Sequence, residues 1–149
     1  MPITLPWPGY QVHVFAPEPG AGGALWPKAQ SDSLLKAAVQ RDIHGIMSLG
    51  VIFKSERNPG VNLDLNEIQD NHHATYIADA VSQGYSGIYE TWFADGWRNK
   101  IDQQTGQLSS YPKVFIGEEY IMNGVSVVEA VASGRKAACS IYEFLNNQS

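Results

Sequence analysis

"YPKVFIGEEYIMNGVSVVEAVASGRKAA", residues 111–138, decides how the chain is read. KVFIG, 113–117, is a short apolar run closed by glycine, the pattern of a strand buried on both faces. GEEYIMNG, 117–124, is a turn, and a helix opens at Gly124 and runs from about Val125 to Leu145. Val127, Val128, Val131, Ala138, Ile141 and Leu145 are available to one broad buried face of that helix. A strand that turns directly into a helix leaves the first helical amides free, and such turns hold phosphates and the polar edges of nucleotide-like ligands. The turn also reads as plain solvated connection, and the residues alone leave both readings open.

Working outward, the earlier chain repeats the alternation of strand and helix. YQVHVF, 10–15, alternates as a strand, and the Pro/Gly-rich APEPGAGG after it is loop. Leu34, Leu35, Ala38, Val39, Ile43, Ile46 and Met47 recur at helical spacing between Ser31 and Leu49. Ser31 or Asp32 is the N-cap, Gly50 ends the helix, and VIFK, 51–54, is the next strand. A turn and a short helix starting near Asp64 follow, then a third strand in ATYIADAV, 74–81. From Ser82 to Tyr111 the composition shifts to glycine, aromatic and polar residues, with turn signals at Asp95-Gly96 and Thr105-Gly106. Strands alternating with helices predict one α/β domain over 1–149, a parallel sheet of Rossmann type with flanking helices.

The bulk composition narrows the function. A net charge of −5 argues against a nucleic-acid partner, because phosphate backbones need a basic surface. No apolar run is long enough to span a bilayer, and MPITLPWPGY is not read as a signal peptide. Cys139 is the single cysteine, so the chain forms no internal disulfide and no thiolate metal site of its own; a cytoplasmic location follows. Its place beside Ala137, Ala138 and Ile141 predicts a buried, inert thiol.

Three separated blocks carry a resemblance. GYQVHVF, GAGGALWPK with LLKAAVQRDIHGIMSLGVIF, and DQQTGQLSSYPKVFIGEEYIMNGVSVVEAVASGRKAA together resemble the FAD domain of the glutamate synthase small-subunit and dihydropyrimidine dehydrogenase group of FAD/NAD(P)-linked oxidoreductases. The resemblance implies FAD as cofactor. It places Glu119 on the ribityl chain and the helix opening from Gly124 through Ser126, Val127 and Val128 at the pyrimidine edge of the flavin. It gives Gly22 and Gly23 the role of letting backbone approach the cofactor. It implies no catalytic side chain, since the flavin would carry the redox chemistry, and the family's cysteine-rich iron–sulfur region has no counterpart in these residues.

The departures from that family are equally specific. No G-x-G-x-x-G stands in MPITLPWP, the ribose-binding acid is replaced by Ala16, with Glu18 close by, and residues 82–111 form a Gly/aromatic bridge where the NAD(P) domain is inserted in the family. A Rossmann sheet has strand order 3-2-1-4-5, so the absent first strand is the central one. Three remedies follow: ITLPW serves as a short strand, the two halves close up, or another polypeptide fills the layer. Pro2, Pro6 and Pro8 make the first a poor central strand, which favours an assembly with other oxidoreductase subunits or with a second copy. The expected function is a flavoprotein-like subunit that relays electrons and is not a stand-alone NAD(P)H reductase. The alternatives are a flavin-free structural subunit derived from such a domain and a small-ligand-binding module.

Other candidates carry less. Glu118 and Glu119 are adjacent in an extended stretch and point to opposite sides, so they are no catalytic dyad. His72-His73 lacks a third ligand at strand or helix spacing and reads as surface. No Ser/His/Asp or Cys/His arrangement supports a hydrolase.

Overall fold

The structure, a computed structural model, describes residues 9–17, 19–22, 30–58, 61–78, 96–117 and 126–148. The chain divides into two compact units, one within residues 4–62 and one within residues 63–149.

In the N-terminal unit, strand β1 (His13–Phe15) lies parallel to β2 (Ile52–Lys54), with His13 opposite Ile52 and Phe15 opposite Lys54. Parallel neighbours need a crossover, and helix α1 (Ser33–Ser48) lies between them in sequence. Asp32 starts α1: its carboxylate accepts the amides of Leu34 at 2.9 Å and Leu35 at 3.1 Å. Gly50 ends it at φ +89, donating its amide to the Met47 carbonyl at 2.9 Å, as expected of a left-handed helix terminus. The pairing continues past β1, where the Ala16 amide donates to Lys54 O at 3.1 Å. Val39 and Val51 are the buried apolar residues among those described here. The Lys54 ammonium sits 5.2 Å above the Phe15 ring, and His13 meets the same ring edge-on.

Among the described residues, more of the C-terminal unit is buried. Asp64 caps helix α2 (Leu65–Asn71) through the amides of Asn66 and Glu67. Strand β3 (Thr75–Ile77) runs parallel to β5 (Tyr111–Ile116), pairing Thr75 with Val114 and Ile77 with Ile116. Strand β4 (Gln107–Leu108) lies antiparallel on the other side of β5, giving the order β3–β5–β4. Ile101 makes an antiparallel bridge to Leu108, and a 3-10 turn, Trp97–Lys100, leads into it. Alternation splits the sheet into two faces. Val114, Ile116 and Ile77 join Leu65, Ile101 and Leu108 in one core cluster, with Tyr111 against it. On the other face, helix α3 (Val127–Asn146) contributes Phe144, edge-on to Phe115 at 5.7 Å, and Ser133, whose hydroxyl lies 3.2 Å from Tyr76 OH.

The protein is therefore α/β, with three helices, a two-stranded parallel sheet and a three-stranded mixed sheet among the described residues. The expected parallel pairing is present in β1–β2 and β3–β5, and β4 adds an antiparallel strand beside β5. Only Ser109 and Ser110 separate β4 from β5, and so short a link can make only an antiparallel hairpin. The buried face of α3 also differs from the expected one. Val128 is 78% exposed and Val131 47% exposed, while Ser133, Ala137 and Ala138 are buried and Ile141 and Leu145 half-buried. Small residues line the inner face, and Val128 and Val131 face outward. Cys139 is exposed as well, against the expectation of a buried thiol.

Candidate functional site

Open α/β sheets bind ligands beyond the carboxyl ends of parallel strands, which in the C-terminal unit means beyond Ile77 and Ile116. The two strands stay joined to that end, where the Gly117 amide donates to Ile77 O at 3.0 Å. From there the chain passes through 118–125, outside the described residues, and re-enters at Ser126, the N-cap of α3.

Ser126 and Glu129 form a reciprocal capping box. The Glu129 carboxylate accepts the Ser126 amide at 2.8 Å and its hydroxyl at 2.7 Å, and Ser126 Oγ accepts the Glu129 amide at 3.3 Å. The hydrogen bonds from Ser126 hold the Glu129 carboxyl below its ordinary range. The first intrahelical bond runs from the Ala130 amide to Ser126 O at 2.9 Å. This leaves the amides of Val127 and Val128 with no acceptor among the described residues. Two adjacent N–H donors at a helix start fit an anion or the acceptor-rich edge of a ring. The Glu129 carboxylate offsets part of the positive field they share.

A second loop borders the end of β5. Asp102 Oδ1 accepts the amides of Gln104 at 2.9 Å and Thr105 at 2.8 Å and the Thr105 hydroxyl at 3.0 Å. Hydrogen bonds from Thr105 come first among the causes that keep the Asp102 carboxyl below its usual range, and the positive charge of Lys136 adds to them. Gly106 then takes φ +75, and its carbonyl accepts the Ile116 amide at 2.9 Å. A Cβ at Gly106 would sit 3.0 Å from Ile116 O, so this turn demands glycine on two grounds. Lys136 donates to Gln103 O at 3.0 Å and ties the loop to α3. Asp102, Gly106 and Lys136 thus position the end of β5 without offering chemistry of their own.

The expected site residues fare unevenly. Ser126 starts α3, and Val127 and Val128 contribute its first amides. The helix begins after Ser126, later than the expected opening at Gly124, because the S-V-V-E box fixes its start. Gly124, Glu119 and Gly23 lie outside the described residues, as does Glu18. Gly22, in the N-terminal unit, has φ +122, a backbone that side-chain-bearing residues rarely adopt. Ala16 follows β1 with both backbone groups used, its amide donating to Lys54 O and its carbonyl accepting the Arg57 amide at 3.0 Å. The box itself was the residue pattern that sequence reading missed, and a serine three residues before a glutamate was its signal.

Among the described residues no group of three His, Cys, Asp or Glu side chains could hold a metal ion, and no helix is long and apolar enough to cross a membrane. His72 is half-buried with Nδ1 2.9 Å from Ile68 O, and His73 is exposed. Comparison with protein-family models, with curated proteins and with solved structures found no match.

Proposed function

We propose that the chain is a flavin-binding subunit of a multi-subunit oxidoreductase, built on a reduced Rossmann-like FAD domain. The observation that carries this reading is the parallel β3–β5 pair followed by a helix whose first two amides, those of Val127 and Val128, have no acceptor among the described residues. The parallel β1–β2 pair supports it further. Taking strand 1 out of the order 3-2-1-4-5 would leave two separate parallel pairs, 3-2 and 4-5, and the two parallel pairs among the described strands are compatible with that. Val127 and Val128 would face the flavin's pyrimidine edge, Glu119 its ribityl chain, and Gly22 and Gly23 its close approach. FAD, when bound, supplies the electron transfer; the protein groups bind and tune it. The phosphate-binding glycine loop would come from another oxidoreductase subunit, whereas a second copy would complete the sheet without supplying that loop.

A second reading, a flavin-free structural subunit, is favoured by two details. Glu129 sets a carboxylate at the very helix start that would face an anionic reduced flavin, and the Ala16 methyl cannot bind a ribose hydroxyl. A native mass spectrum of the protein isolated from its own source separates the two. An FAD mass in the complex, lost or depleted in Glu119→Ala, is the result expected of the first. A complex of the right subunit masses without flavin establishes the second, and a bare monomer that does not bind added FAD overturns both.

A further inference from the structure

We draw no further inference here: the strongest candidate, the outward stripe of α3 carrying Val128, Val131, Ala132 and Cys139, is an unpartnered face, and nothing in the structure shows what covers it.

Discussion

Ser126 and Glu129 hold the first turn of α3 from both sides, each satisfying the other's backbone amide with its own side chain. The arrangement fixes the helix start within one residue and sets which amides stay available beyond it.

Removing one half of this box measures its worth. Ser126→Ala should lower the stability of the chain by about 1 kcal/mol, the usual cost of losing an N-cap. Ser126→Thr or Ser126→Asp should restore most of it. Urea unfolding followed by circular dichroism reads both, and an unchanged midpoint for the alanine variant would show that the box is not formed in solution.

Acid should weaken the C-terminal unit through two carboxylates. Glu129 and Asp102 are both held below their ordinary ranges, the first by Ser126 and the second by Thr105 and Gln104. A carboxyl that ionises more readily in the folded chain stabilises it fully above its unfolded pKa, at about pH 4.5 and higher. That contribution fades as the pH falls through the lower, folded value. Urea midpoints between pH 7 and pH 2 should therefore fall less steeply in Asp102→Asn with Glu129→Gln than in the parent chain. Parallel curves would contradict the hydrogen bonding described.

Two glycines should respond in opposite directions to the same substitution. Gly106→Ala meets a positive φ and a carbonyl oxygen at 3.0 Å, and should destabilise by about 2 kcal/mol. Gly134→Ala adds a methyl within a helix where nothing lies within 4 Å, and should stabilise by up to about 1 kcal/mol. Thermal melts of the two variants give the signs, and destabilisation by both would mean that α3 lies closer to its neighbours than described.

The ring pair Phe115–Phe144 joins α3 to the sheet. Phe115 is 1% exposed, so Phe115→Ala should cost about 3–5 kcal/mol. A double-mutant cycle with leucine at both positions should show a coupling of about 1 kcal/mol, the part owed to the edge-on geometry. Strict additivity would remove that contact from the account.

Much of this architecture was legible because backbone chemistry leaves local marks. Asp32 and Asp64 stand just before apolar periodic runs, Gly50 just after one, and KVFI is too short and too apolar for anything but a buried strand. The orientation of α3 was not legible. Valine outranks alanine in hydrophobicity, so a periodicity argument buries Val128 and Val131, whereas the buried side carries Ser133, Ala137 and Ala138. The turn at Thr105-Gly106 in the hairpin-like DQQTGQL was legible. The antiparallel pairing of β4 with β5 was not, because that hairpin turns on two serines and lacks the Asn-Gly pair that marks such turns. Of the candidate site, a helix after the turn was readable, but an opening at Gly124 is too early, because that reading passes over the Ser126–Glu129 capping pattern.

The unequal burial of the two units has a consequence in time. Leu108, Val114, Phe115 and Ile116 are at most 3% exposed, so opening β5 means dismantling most of its unit. The β1–β2 pair, with Val39 and Val51 as its buried apolar company among the described residues, opens at far smaller cost. Amide protons of Val114 to Ile116 should persist long after those of Val14 and Ile52 have exchanged with deuterium. One polypeptide thus keeps two clocks, a slow one at the end of the chain that carries α3 and a fast one at the end that carries Gly22.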